Sequence, residues 1–315
     1  MAKAIKRRKY GQKRGGGFSR LVGWIVRAFF LFIVLSILWV LLYRFVNPPI
    51  TFTQLGDRIS GRHLSKDWMP LAQIDDDMKR AAIAAEDSKF CAHWGFDQDA
   101  IAEAMRRNAQ GDGVMRGGST ISQQTAKNAF LWQGGGYFRK GLEAWFTLLI
   151  ENIWSKQRIM EVYLNIAETG IGTYGVNAGA QRYFRKDGSS LSRTEAARIA
   201  AVLPLPKSRE AVTPSGFTRR YGNSISARIA VVQRDRLDSC LYGDGEAASP
   251  VEREQPTSRA RPKAKAAPAP DAPPPSPAAD PGVEYEQPAR TEPAEPPGEE
   301  AAPPAEPQPT EANGF

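Results

Sequence analysis

The stretch from Leu21 to Val46 restricts this chain more than any other feature. Its only charges are Arg27 and Arg44, and the 16 residues from Ala28 to Tyr43 carry none. A helix that crosses a bilayer needs ~20 mostly apolar residues at ~1.5 Å each. The run from Leu21 to Tyr43 has that length if Arg27 snorkels towards the headgroups. Trp24, Trp39 and Tyr43 lie near its ends, where amphipathic rings favour the membrane interface. A cleaved leader would end a core of ~7–15 apolar residues at a small-x-small site. Here the run passes instead into Tyr43-Arg44-Phe45-Val46-Asn47-Pro48-Pro49. The reading is an uncleaved, single-pass transmembrane anchor over residues 21–46.

Charge then divides the rest of the chain. Residues 1–20 hold eight basic residues and no acidic one. A nucleic-acid arm has the same composition, but its place beside a span makes it a cytoplasmic flank, and no nucleic-acid partner is expected. Positive residues ahead of the span put the N-terminus inside and everything after residue 47 outside the cytoplasm. Residues 243–315 hold six basic and fourteen acidic residues and 18 of the chain's 24 prolines. Such a Pro/Ala/Glu-rich tail lacks the apolar surface to offset its ordering entropy, so it is expected to be disordered and dispensable for catalysis. The only candidate for a packed domain is residues 48–242, long enough to bury a real core.

That domain is expected to be mainly α. Asp75 to Asp77 can cap a helix with Met78, Ala81, Ala82 and Ala85 on one side, and 97–109 and 119–132 are further candidates. Leu142, Trp145, Phe146, Leu149, Ile150 and Ile153 recur at helical spacing over 137–154, and Ser155 can cap the next helix to Ala167. Ser192-Arg193-Thr194-Glu195 is a capping box ahead of a helix that ends before Pro204, and 217–242 is the last candidate. Strand patterns are scarce, with Pro49 to Phe52 a weak exception.

Several chemistries lack their signatures. His63 and His93 stand thirty residues apart and the two cysteines are isolated, so no metal site is expected from spacing. There is no Walker loop and no Ser-x-x-Lys or Lys-Thr-Gly of an acyl-serine enzyme. What remains is a set of acids, cations and amides. Glu86 and Asp87 end an apolar helical stretch. Gly117 to Asn128 packs Ser119, Thr120, Gln123, Gln124, Lys127 and Asn128 into the start of a helix, more polar groups than a cap requires. Arg139 and Lys140 stand three or four residues before Glu143 on one helix side, the spacing of an ordinary surface ion pair.

Taken together and in order, these motifs resemble the family 51 glycosyltransferases, the peptidoglycan transglycosylases. Glu86, Asp87, Phe90 and His93 match Glu-Asp-x-x-Phe-x-x-His, and Gly117 to Gln124 with Gly118 inside it match Gly-x-Ser-Thr-Ile-x-Gln-Gln. Arg139, Lys140 and Glu143 match Arg-Lys-x-x-Glu; Lys156 to Asn165 match Lys-x-x-Ile-x-Glu-x-Tyr-Leu-Asn. The resemblance covers about residues 50–242, and without acyl-serine motifs it is to the monofunctional, biosynthetic form. It implies a lysozyme-like glycosyltransferase domain that polymerises lipid II into β-1,4-linked strands and releases undecaprenyl pyrophosphate. It implies Glu86 and Glu143 as catalytic residues, the first a base for the acceptor hydroxyl, the second a partner of pyrophosphate departure. Asp87, Gly118, Ser119, Thr120, Gln123, Gln124, Lys127, Asn128, Arg139 and Lys140 become the expected substrate-binding set, with Lys127 and Lys140 at the pyrophosphate.

The chemistry agrees: an inverting transfer needs a base on one side and charge stabilisation of the leaving group on the other. The acidic neighbour Asp87 is expected to raise the proton affinity of Glu86. A divalent cation such as Mg²⁺ is a candidate to share the leaving-group role; no organic cofactor is expected. The partners implied are lipid II, the growing glycan chain, the membrane and, as a candidate, a cell-wall synthesis complex, at the bacterial inner membrane with the catalytic domain in the periplasm. One departure stands out: where the family carries another Arg, this chain has Gly134-Gly135-Gly136, which weakens one pyrophosphate contact. Cys91 reads as buried packing, with a bond to Cys240 the less favoured alternative in an oxidising compartment. Phe130-Leu131-Trp132 and Tyr137-Phe138 are candidates to touch the bilayer. A glycan-cleaving enzyme and a non-enzymatic wall scaffold stay open as alternatives.

Overall fold

The computed structural model describes residues 17–110 and 117–242. The start of the basic arm and the Pro-rich tail lie outside the described residues. The order is α1 (Gly17–Phe45), α2 (Phe52–Ile59), β1 (Ser65–Lys66), α3 (Asp76–Glu86), α4 (Gln98–Ala109), α5 (Ile121–Phe130), α6 (Gly136–Ile153), α7 (Lys156–Ile166), β2 (Glu168–Gly170), β3 (Thr173–Tyr174), α8 (Val176–Phe184), α9 (Arg193–Val202) and α10 (Gly216–Arg234). The fold is mainly α, as the helical spacings imply. Asp75, Ser155 and Ser192 cap α3, α7 and α9 as read from the sequence. Four elements differ, the first being α8, which the sequence reading did not include. Pro49 to Phe52 is no strand; Thr51 closes a capping box with Gln54 and starts α2. Residues 217–242 are not one helix, because α10 stops at Arg234 and a single 3-10 turn, Ser239–Leu241, follows. A small sheet in the order β1-β3-β2 joins the two ends of the domain, with β1 parallel and β2 antiparallel to β3.

Two helical groups make the core. Helices α3, α9 and α10 pack on one another, and α5 packs between α6 and α7. Alanines line the first group: Ala81, Ala82, Ala196, Ala197, Ala200 and Ala201 are all buried. Small side chains let helix axes come close, which fixes the short separation of α3 from α9. Large side chains fill the second group, where Phe130 stacks on Phe146 with ring centroids 4.7 Å apart. Such a pair adds ~0.5–1.5 kcal/mol beyond its area burial.

The anchor is not a free tether. Helix α1 contains a stretch, Ser19–Phe45, long and apolar enough to cross a membrane. Its C-terminal part docks on the domain. Trp154 Nε1 donates to the Val40 carbonyl at 2.8 Å, Trp145 Nε1 to Ser36 Oγ at 3.1 Å, and Arg158 to the Tyr43 carbonyl at 2.8 Å. Trp39 and Tyr43, expected at the membrane interface, instead pack against Phe130. Only Trp24 of the three lies open on the helix surface.

The C-terminal turn is stapled back onto α3. Cys91 and Cys240 form a disulfide across 149 residues, so the unpaired reading of Cys91 is corrected. Beside it, Arg80 Nε donates to Asp238 Oδ2 at 2.8 Å, and the two side chains are only 6% and 7% exposed. A buried ion pair is costly to break from one side. Asp76 and Asp77 stand 3.9 Å from Arg80 and soften the loss. Asp238→Ala is therefore expected to destabilise the domain by ~3 kcal/mol, near the low end for such pairs. An unchanged urea midpoint would mean that Asp76 and Asp77 compensate completely.

Candidate active site

Glu86 ends α3, and Asp87 turns the chain out of it. The Asp87 carboxylate accepts His93 Nε2–H at 2.9 Å and the Ile121 N–H, the start of α5, at 3.0 Å. His93 Nδ1 in turn accepts the Gly95 N–H at 3.1 Å, which assigns the tautomer. Asp87 thus ties the first motif to the start of the second, and its carboxylate is spent on that join rather than offered to a substrate. Lys156 completes the loop. Its ammonium donates to the His93 carbonyl at 2.7 Å and to Glu151 at 2.8 Å, and lies 4.6 Å from the Phe90 ring centroid. Gly95 is required at this corner: its φ is +84°, and a Cβ there would sit 2.7 Å from Thr147 Cγ2.

The second motif divides by role. Thr120, not Ser119, is the N-cap of α5, and Gln123 closes the capping box with it. Both are buried, and Thr120 Oγ1 also donates to the Gly95 carbonyl at 2.6 Å. Gly118 lies against α4, where a Cβ would meet the Ala100 carbonyl at 3.2 Å. These three expected substrate contacts are scaffold here. Gln124 is different: its amide donates to Glu86 Oε2 at 2.8 Å. The other oxygen, Glu86 Oε1, is buried without a partner among the described residues. Burial pushes the Glu86 carboxyl up, against the pull of the Gln124 hydrogen bond and the Arg209 charge; Asp87 adds to the rise but is not its main cause. A carboxylate with one oxygen held and the other unused is poised to take a proton.

Glu143 forms the second centre. It is buried on α6, where Arg139 Nη1 donates to Oε2 at 2.7 Å and Lys140 Nζ pairs with Oε1. Lys140 also donates to Ser119 Oγ at 3.2 Å. Arg139 Nε is buried with no hydrogen-bond partner among the described residues. Burial pulls the Lys127 ammonium down; Glu143 and Glu86 oppose this, while Arg139 and Lys140 add to it. Three cations around one carboxylate leave a net positive pocket with unused donors, which suits a multiply charged anion. The segment before α6 adds no cation. Gly134, Gly135 and Gly136 all have positive φ, and Gly135 is the N-cap at +91°, a conformation that side chains rarely adopt.

A cavity of about 450 Å³ opens beside these groups, with Gln124, Lys127, Asn128 and Tyr163 on its wall. The Tyr163 hydroxyl is buried without a hydrogen-bond partner among the described residues, and burial beside Glu86 holds it well above the usual phenol range. Sequence reasoning passed over Tyr163 because an aromatic at helical spacing reads as core. It also passed over Glu151, which accepts Ser122 Oγ and Lys156 Nζ inside the domain. The other polar members of the fourth motif are structural: Asn165 binds both the N–H and the carbonyl of Met69 at 2.8 Å.

The apolar edges divide as well. Phe130 and Leu131 are core, which corrects their expected contact with lipid. Trp132 is 41% exposed, Tyr137 97% and Phe138 73%, all around the start of α6. Aromatic rings so exposed are favoured at a membrane interface. Tyr137→Ser with Phe138→Ser is expected to weaken liposome recruitment of the domain freed of its anchor (residues 47–242) severalfold with little change in Tm. A large fall in Tm with unchanged recruitment would make these residues part of the packing instead.

A match to the Transglycosylase family spans residues 53–230. The chain is 46% identical over 223 residues to a biosynthetic peptidoglycan transglycosylase of Caulobacter vibrioides, covering 70% of this chain and 97% of that protein. It is 48% identical over 230 residues to one of Pseudomonas putida (69% and 97% covered) and 40% identical over 242 residues to one of Jannaschia sp. (76% and 99% covered).

Proposed function

Because this chain belongs to the transglycosylase family and is a membrane-anchored peptidoglycan glycosyltransferase, we propose that it polymerises lipid II by inverting transfer. The reading is carried by one arrangement. A buried carboxylate, Glu86, has a free oxygen, and Lys127 feels both it and the Arg139–Lys140–Glu143 cluster. Glu86 takes the proton of the acceptor hydroxyl as its oxygen attacks the anomeric carbon of the donor. The bond from that carbon to the pyrophosphate breaks, and the electron pair leaves with undecaprenyl pyrophosphate. Lys127, Arg139 and Lys140 stabilise the departing charge, so no proton donor is needed there. Glu143 holds Arg139 and Lys140 in place. Displacement on the far face yields the β-1,4 linkage.

Among the described residues no three His, Cys, Asp or Glu side chains gather as a metal site. Both oxygens of Glu143 are already taken by cations. A divalent cation sharing the leaving-group role would be held by the pyrophosphate itself with at most one or two carboxylates, and no step is assigned to one. We further propose an inner-membrane location with the N-terminus cytoplasmic and residues 48–242 as the catalytic domain in the periplasm. The eight basic residues before the span and the Cys91–Cys240 disulfide support it. Absence of acyl-serine motifs supports a glycosyltransferase without transpeptidase activity.

The test is incubation of the detergent-solubilised protein with lipid II, with and without penicillin. Growth of uncross-linked glycan, unaffected by penicillin, is expected. Release of fragments from finished wall without growth would replace this reading by a lytic one. A chain ended after Tyr242 is expected to keep its lipid II turnover, since the tail has 18 prolines and net acidic charge. Loss of turnover with an unchanged Tm would assign the tail a part in catalysis.

A further inference from the structure

Part of the cavity wall lies outside the family motifs. Besides Gln124, Lys127 and Asn128 from α5, it includes Glu168 of β2, Tyr174 of β3, and Lys207 and Ser208 of the loop after α9. Residues 166–167, at the end of α7, line the cavity between these parts in sequence. Glu168 stands opposite Tyr174 in the antiparallel pairing. The Tyr174 hydroxyl is used up: it donates to Asp57 Oδ2 at 2.6 Å, and Asp57 also takes Arg62. Burial would raise Asp57, but Tyr174 and Arg62 bring it below the usual carboxylate range. Asp57 is therefore a satisfied structural acid.

Glu168 is not satisfied. Its Oε1 is buried and has no hydrogen-bond partner among the described residues. The Lys207 ammonium is 3.8 Å away, inside ion-pair range but too far for a hydrogen bond. Burial pushes the Glu168 carboxyl up against the pull of Lys207. A buried acceptor left unmade is costly, and such a group needs an explanation. No scaffold function accounts for Glu168 as it does for Asp57, Asp87 or Glu151.

We propose that Glu168 and Lys207 form a sugar subsite of the cleft, which binds an acetamido group of the N-acetylated amino sugar in the lipid-linked substrate. An acetamido group offers one N–H and one carbonyl oxygen on a flat unit. The Glu168 carboxylate, on the cavity wall, accepts the N–H, and the Lys207 ammonium donates to the carbonyl. The subsite rests on the reading of the cleft as a lipid II site and deepens it. It assigns substrate affinity, not proton transfer, to these two residues.

The test measures binding in a Glu86→Gln background, so that turnover does not consume the probe. Full-length protein carrying Glu86→Gln, with and without Glu168→Ala, is titrated with lipid II and, separately, with undecaprenyl pyrophosphate, which has the anion and lipid but no sugar. Loss of a hydrogen bond to a charged group weakens affinity ~10-fold or more. The expected result is a Kd for lipid II raised about tenfold by Glu168→Ala and a Kd for undecaprenyl pyrophosphate unchanged. Equal weakening of both probes, or of neither, overturns the subsite. Should Glu168→Ala fail to fold, Lys207→Ala carries the same prediction, because Lys207 is half exposed and its loss leaves the fold intact. The failures are separable: a Glu86→Gln protein that still polymerises lipid II sinks the catalytic reading, whereas unchanged Kd values in an inactive Glu86→Gln protein sink only the subsite.

Discussion

Glu86→Gln is expected to lower lipid II polymerisation ~10²–10⁴-fold, the usual cost of removing one general base. The substitution keeps size and a hydrogen-bond acceptor for Gln124, so binding of lipid II should stay close to normal. The pH profile gives a second readout. A base works only when ionised, and burial raises the Glu86 carboxyl above its ordinary value. Activity should therefore fall as pH drops through a value above that of an exposed glutamate. Gln124→Ala removes the hydrogen bond that favours the ionised form, so this acid limb should move to still higher pH. Near wild-type polymerisation by a folded Glu86→Gln protein would exclude the assignment. An acid limb that Gln124→Ala leaves in place would show that another group sets it.

The second large effect is on stability. Cys91 and Cys240 close a loop of 149 residues, and a cross-link of that length restricts the unfolded chain strongly. Chain-entropy arguments give up to ~5 kcal/mol, and removal of native disulfides commonly costs ~2–5 kcal/mol. Some of the C-terminal turn is held independently by Arg80–Asp238 and by Tyr242, whose ring centroid lies 5.6 Å from the Lys79 ammonium. We therefore expect Cys91→Ser with Cys240→Ser to cost about 3 kcal/mol, or roughly 10 °C in Tm for a domain of this size. A reducing agent should give the same shift in the wild type and none in the variant. Equal melting of oxidised wild type and double variant would remove the bond from the list of what holds this domain. Because Cys91 lies in the loop that follows Glu86, polymerisation should fall along with stability.

The helices that could be read from sequence are those with a capping residue, as in α3, α4, α5, α7 and α9, or a long apolar run, as in α1 and α6; α8, which follows a glycine without a side-chain cap, was not. Helix α2 was concealed although its signal was present, since Thr51-x-x-Gln54 is a capping box and the prolines before it suggested a strand. Strands of two and three residues have no room for an alternating pattern, so the sheet could not be read at all. Local sequence equally cannot pair two cysteines that meet only when the whole fold closes. In the site, the charged residues were legible and their division of labour was not. Asp87, Thr120 and Gln123 look like substrate contacts in a motif, yet Asp87 and Thr120 bond backbone groups of neighbouring elements and Gln123 the N-cap backbone of its own helix. Glu168 was missed for the opposite reason, because a lone acid after a helix carries no pattern.

The docking of the lower part of α1 sets how high the cleft stands. From Ser36 to Phe45 the helix lies against the domain, which uses ten residues, or ~15 Å at 1.5 Å each. Ser19 to Leu35 remain, 17 residues or ~25 Å, less than the ~30 Å of a hydrocarbon layer. On the proposed topology, this shortfall would draw the domain down until its own apolar edge, around Tyr137 and Phe138, shares the lipid boundary. Anchor and catalytic body then move as one piece, and the cations around Glu143 stay at a constant depth. Lipid II, the proposed substrate, keeps its chain in the bilayer and would present its pyrophosphate at a constant depth too. The helix works as a ruler, matching the height of the machinery to that of the bond it breaks.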